Sequence, residues 1–335
     1  KHPIFGYTTT EPQFKTMLID WFKRRYNWDI DWNWVSLSPG VLPAISLMVT
    51  GLTKSGDKII VQPPIYPPFR AKVELNGRIL AENPLLYDAE NGRYTVDYEN
   101  LEQVAAAPDV TMFILSNPHN PVGRNWTPEE LTKMAHICIA HDVKIISDEI
   151  HCDLMMPGQT FTPIATLSDE IAQHVITCMA PSKTFNLAGM KYSHILIQNE
   201  AWQAQFRHDM TRMHLSGPNA FGIVAAEAAY TKGEAWLEAV IAYVFDNYQF
   251  MKSFFAEHCP AVKVTQLEGT YLTWLDFNTL KIEHDELVRR LNEEAKVHLN
   301  SGTDFGEEGR GFMRLNVATP RANLEEALQR MIRVL

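Results

Sequence analysis

Three apolar runs recur in the middle of the chain at a spacing that few folds can use. Residues 110–115, 143–147 and 175–180 begin about thirty residues apart, the length of a strand–helix–strand unit. Each run is nearly continuous in apolar character, as a strand covered on both faces must be. Residues 58–62 and 193–197 follow the same pattern. Between the first two runs, Thr127-Pro-Glu-Glu130 forms a capping box, with Pro128 at the first helical position. Leu131, Met134, Ala135 and Cys138 then fall on one helical face. The spacing predicts an α/β fold with a largely parallel sheet.

The last hundred residues have a different rhythm. Residues 233–258 predict one long helix stopped by Pro260. After it come a pair of short strands in 262–277 and a helix running into a strand in 285–299. A strand in 311–318 and a final amphipathic helix in 323–335 complete the pattern. Two domains are therefore expected, a large one over 1–235 and a small α+β one over 236–335, with the long helix bridging them. The chain of 335 residues is long enough for both.

Composition removes several classes of function. With 46% hydrophobic and 21% charged residues, the chain can bury a core. A net charge of −10 argues against a nucleic-acid partner. No apolar run approaches the ~18–20 residues of a membrane span. The four cysteines include no C-x-x-C pair, so reduced thiols and a cytoplasmic location are expected. There is no H-E-x-x-H, and His136 and His141 do not share a helical face, so no metal site is expected. The chain starts at Lys1 without a methionine, and an N-terminal segment is expected to be missing.

Ligands of open α/β sheets bind beyond the carboxyl ends of the strands. Asn117 and Asn120 follow the run 110–115 in "SNPHNPVG", either an ordinary turn or a source of amide donors. Asp148 and Glu149 leave the run 143–147 together. They are a helix N-cap, an ion pair with a neighbouring loop, or a functional acid, since a buried carboxylate needs a partner. His151 reads as a packing histidine. Lys183 follows the run 175–180 in "APSKTFNLAG". It either snorkels to solvent or is a desolvated amine able to act as a nucleophile. Upstream, "SLSPGVLPAISL" joins a turn to a helix whose free N–H groups would favour a phosphate. Tyr66 in "PPIYPPF" either packs or stacks on a planar ligand. Taken together, an amine, an acid, an amide, an aromatic face and an anion cradle match what pyridoxal phosphate requires.

The motifs "SNPHNPVG", "SDEIHCDL", "APSKTFNLAGMK" and "GRGFMRLNVATPR", with "IFGYTTTEP" near the start, occur in one order and spacing. On them the chain resembles the fold-type I pyridoxal-phosphate enzymes of the aminotransferase class I/II superfamily. Within these it is most similar to the bacterial cystathionine β-lyase (carbon–sulfur lyase) branch. The resemblance implies a three-layer α/β/α large domain and a smaller α+β domain. It also implies catalytic roles for Lys183, Asp148 and Tyr66: Lys183 as the Schiff-base lysine, Asp148 as the partner of the ring nitrogen, Tyr66 stacking on the ring. Asn120 would donate to the phenolic oxygen. Gly40, Val41, Leu42, Ser182 and Lys191 would hold the phosphate. Arg314, with Asn120, would bind the substrate carboxylate. Tyr7 would reach the phosphate in a neighbouring subunit, which makes a homodimer with shared sites.

His151 and Lys191 stand where many aminotransferases have tyrosine and arginine, and both substitutions suit the lyase branch. Ala180 replaces a phosphate-binding serine of many relatives. The family also has about fifty residues before "IFGYT". The implied reaction is α,β-elimination of cystathionine or a related cysteine thioether to a thiol, pyruvate and ammonia. An aminotransferase and a cofactor-binding regulatory protein are the alternatives.

Overall fold

The computed structural model describes residues 6–217 and 219–335. The beginning of "IFGYT" and the first residues expected at a subunit interface lie outside this range. The strands are β1 (Val35–Ser38), β2 (Lys58–Val61), β3 (Ile79–Glu82), β4 (Leu86–Asp88), β5 (Arg93–Thr95), β6 (Val110–Ser116) and β7 (Lys144–Asp148). They continue with β8 (Val175–Met179), β9 (Ser193–Ile197), β10 (Lys263–Val264), β11 (Leu272–Asp276), β12 (Asn300–Ser301) and β13 (Phe312–Asn316).

A seven-stranded sheet runs in the order β1-β9-β8-β7-β6-β2-β3. β6, β7 and β8 pair in parallel, as do β2 with β3 and β2 with β6. β9 is antiparallel to both β8 and β1, so it alone runs against the others. Val175–Met179 is buried at every position, which is why the sequence there is apolar without alternation. Helices cover both faces. Leu131, Met134, Ala135 and Cys138 of the helix Pro128–Ala140 pack with Phe113 and Ile145 on one side. Residues of the helices Val41–Leu52 and Glu200–Arg212 pack with Met112, Ile146 and Ile176 on the other. The capping box forms as expected: Glu130 N–H donates to Thr127 Oγ1 at 3.2 Å, and Thr127 N–H to a Glu130 carboxylate oxygen at 2.9 Å.

The second sheet is antiparallel, in the order β10-β11-β13-β12. Within the helix Glu234–His258, Leu237 and Ile241 join one apolar cluster. Val244, Tyr248, Met251 and Phe255 join another, beneath the second sheet. The strand expected at the end of 285–299 starts later, at Asn300. Lys296 takes a left-handed conformation (φ 55°), which breaks the chain direction before a strand can begin. Among the described residues, no helix is long and apolar enough to cross a membrane.

One buried arginine ties the two sheets together at the site. Arg124 is 1% exposed and donates from Nε to Glu268 Oε2 at 2.7 Å. Its Nη2 reaches both oxygens of Glu130, at 2.9 and 2.7 Å. The backbone N–H groups of Glu268 and Gly269 donate to Gly123 O. The loop after β6 is thereby fastened to the segment leading into β11.

Candidate active site

Asp148 is the last residue of β7, and Ser116 at the end of β6 lies opposite it. The strand ends, so the side chain of Asp148 meets the rim of the sheet. It accepts from Ile150 N–H at 3.1 Å and is 7% exposed. Burial pushes its carboxyl up to about 7, against the pull of Ile150 N–H and the charge of Lys183. The next residue, Glu149, turns away from the cleft. Its Oε1 accepts from Ser147 Oγ at 2.9 Å and Ile164 N–H at 3.1 Å, and burial pushes it up to about 8. Of the acidic pair, only Asp148 serves the site.

β8 ends at Met179, and Pro181–Thr184 forms one helical turn. Phe185 N–H donates to Pro181 O at 2.8 Å and Leu187 N–H to Ser182 O at 2.9 Å. The turn holds Lys183 at the rim. Burial lowers the pKa of its amine, opposed by the charge of Asp148 and helped by that of Arg314. Lys191 closes the following turn in a left-handed conformation (φ 49°).

Gly40 precedes the helix Val41–Leu52 with φ 150°, a conformation that favours glycine. The N–H groups of Val41 and Leu42 belong to the first turn and have no helical acceptor. They point the positive end of a twelve-residue helix at the cleft. Tyr66 caps the helix Pro67–Glu74 and lies edge-on to Phe69 at 5.6 Å.

Arg314 comes from β13 in the second sheet. Its Nη1 donates to Asn120 Oδ1 and its Nη2 to Asn300 Oδ1, both at 2.8 Å. Its guanidinium lies 4.7 Å from the Phe305 ring centre, and its buried Nε has no partner among the described residues.

These groups line one cleft of about 690 Å³. Every site residue implied by the resemblance lines it except Tyr7, which is fully exposed outside it, while Asn117 and Glu149 do not line it. A second cavity of about 310 Å³ meets the first at Lys183, Tyr271 and Asn316. Three participants were not expected. His151 lines the cleft, edge-on to Tyr271 at 5.9 Å, with Nδ1 unpartnered. Burial and the charges of Lys183 and Arg314 push it down to about 3, so it is neutral. Tyr271 enters from just before β11, and Asn300 from β12. Neither is flagged by any motif, and only the antiparallel pairing of Asn300 with Arg314 brings the amide to the guanidinium. Among the described residues, no group of histidine, cysteine and acidic side chains could hold a metal ion.

The sequence matches the aminotransferase class I and II family over residues 1–331. The chain belongs to that family. It is 43% identical over 330 residues to the cystathionine β-lyase PatB of Bacillus subtilis (strain 168), covering 98% of this chain and 85% of PatB. Its fold superposes on cystalysin of Treponema denticola, which contains a pyridoxal 5'-phosphate cofactor. The TM-score is 0.96 at 35% identity, covering 99% of this chain and 84% of cystalysin. A pyridoxal-phosphate-bound carbon–sulfur lyase of Staphylococcus hominis gives a TM-score of 0.92 at 30% identity, covering 99% and 84%.

Proposed function

We propose that this protein is a pyridoxal-phosphate-dependent carbon–sulfur β-lyase. It converts cystathionine, or a related cysteine thioether, and water to a thiol, pyruvate and ammonia. The observation that carries this reading is the opposition of Lys183 and Asp148 at neighbouring strand ends, with the charge of Arg314 acting on the Lys183 amine.

The cleft fits the cofactor. Among the described residues, Asp148 is a buried carboxylate with no side-chain donor among its hydrogen bonds, and a protonated ring nitrogen would supply one. The first turn of the helix Val41–Leu52 offers free N–H groups to a phosphate, beside Ser182 and Lys191. Gly40 puts no side chain in the way.

Pyridoxal phosphate, when bound, supplies an electron-withdrawing ring that accommodates negative charge at the substrate's α-carbon. Lys183 would hold the cofactor covalently, and its Nζ would take the substrate's α-proton. That amine must be neutral to act, and burial lowers its pKa in that direction. Asp148 keeps the ring nitrogen protonated through a charge-assisted hydrogen bond. Asn120 would hold the phenolic oxygen, and Tyr66 would stack on the ring. Arg314 grips the substrate α-carboxylate with its planar fork. Neutral His151 contributes a ring nitrogen free to hydrogen-bond.

A homodimer completes each site, with Tyr7 of one subunit on the phosphate of the other. The exposure of Tyr7 supports this. Division of the chain into 1–235 and 236–335 fits a cleft formed where the two sheets meet. The four free cysteines fit a reducing, cytoplasmic location.

Incubation with cystathionine in the absence of any oxo acid tests the reaction. Equal yields of thiol and pyruvate are expected. Amino transfer that appears only when an oxo acid is added would refute the lyase reading.

A further inference from the structure

The turn that carries Lys183 is short, and no sheet ladder holds it. Two backbone hydrogen bonds close it, from Phe185 and Leu187. Among the described residues, its one side-chain tether runs from Thr184 Oγ1 to Asp153 Oδ2 at 2.8 Å. Thr184 is 1% exposed and Asp153 2%. The other oxygen of Asp153 accepts from Tyr26 Oη at 2.5 Å. Arg25 Nε, at 3.7 Å, is the nearby cation. A carboxylate this deep is expensive to desolvate, so a neutral side chain would serve packing better.

Asp153 lies five residues beyond Asp148 on the strap that leaves β7. The strap is itself fixed: Glu149 N–H donates to Cys178 O at 2.8 Å, Cys152 N–H to Glu149 O at 3.0 Å, and Leu154 N–H to His151 O at 2.9 Å. One carboxylate therefore joins the helix Pro12–Tyr26, the strap with Asp148 and His151, and the turn with Lys183. The charges that act on the Lys183 amine are those of Asp148 and Arg314. Asp153 works on it through position.

The geometry points to Asp153 as a positioning residue that sets the reach of Lys183 relative to Asp148, acting through the Thr184 hydroxyl. This rests on the lyase reading of the site. The link fixes the spacing between the amine that moves the proton and the acid that holds the far side of the ring. Misplacement of a reacting group by about 1 Å can cost on the order of a hundredfold in rate.

The test uses cofactor-loaded full chains of wild type, Thr184→Val, Thr184→Ser and Asp153→Asn. Thr184→Val keeps the volume and removes the donor, and Thr184→Ser restores it. Three quantities are read: kcat per loaded site, KM, and the pH titration of the visible cofactor band. Thr184→Val is expected to lower kcat about 10–100-fold and leave KM within about threefold. It is also expected to move the midpoint of the band, while Thr184→Ser restores both. Asp153→Asn keeps one acceptor oxygen that can still face Thr184, so its effects should fall between those of wild type and Thr184→Val. If Asp153→Asn does not fold, the two Thr184 variants decide alone. Unchanged kcat per loaded site and an unmoved midpoint in Thr184→Val would overturn the inference, even if less protein loads. A wild-type chain with no cofactor band would instead remove the functional reading beneath it.

Discussion

Asp148 faces the cleft as a carboxylate with only a backbone N–H to satisfy it, and this governs the cofactor-free protein. Its pKa is raised from 3.8 to about 7 on folding, so the folded chain binds that proton more tightly than the unfolded chain. The associated stability is present at low pH and is lost as pH rises through about 7. Asp148→Asn should therefore stabilise the cofactor-free protein at pH 8, by roughly 1–3 kcal/mol, with a smaller gain at pH 5. Thermal melts at the two pH values check this. In the loaded enzyme the same change should cut turnover by on the order of a hundredfold, through loss of the charged partner of the ring. Arg314→Lys gives up the planar fork held by Asn120 and Asn300, so KM should rise roughly 10–100-fold and more than kcat falls. Steady-state kinetics separates the two. Lys183 and Asp148 were legible because each stands within three residues of the end of an apolar run, where a charge is out of place. Tyr271 was not: "EGTYLTW" reads as an ordinary strand, and only packing between the sheets brings its ring to the cleft.

Each long central strand was visible as a continuous apolar run because neighbours cover it on both faces. β1 and β3 were not. They are four-residue edge strands with mixed burial, so no uninterrupted run marks them. The helix Pro12–Tyr26 also escaped notice. It has a buried face of Phe14, Met17, Leu18, Trp21 and Phe22, but no side-chain cap announces its start. What the elements do for the site depends on Arg124, which fastens the Asn120 loop to the segment before Tyr271. Arg124→Met leaves Glu268 and Glu130 without their buried cation. It should lower stability by about 3 kcal/mol and raise KM along with it. Thermal melts and kinetics on the same preparation check both.

At the scale of the whole molecule, the site is built where a mostly parallel sheet and a second, antiparallel sheet meet, and the proposed reading adds a second subunit. The order of the motifs along the chain revealed the first two. The third depends on Tyr7, and mixing subunits tests it. Tyr7→Ala and Lys183→Ala variants, each nearly inactive alone, should regain activity when unfolded together and refolded. Half of the sites in a mixed dimer then hold both native residues. No recovery would remove the shared-site arrangement and leave the chemistry untouched. The proposed chemistry rests on Lys183 as the residue that would carry pyridoxal phosphate. Borohydride reduction of the loaded protein, digestion and peptide mass mapping test that claim most directly. The cofactor should be fixed to the peptide containing Lys183, and to no peptide from Lys183→Ala. Attachment at another lysine, or no attachment in a fully loaded wild-type protein, would contradict it.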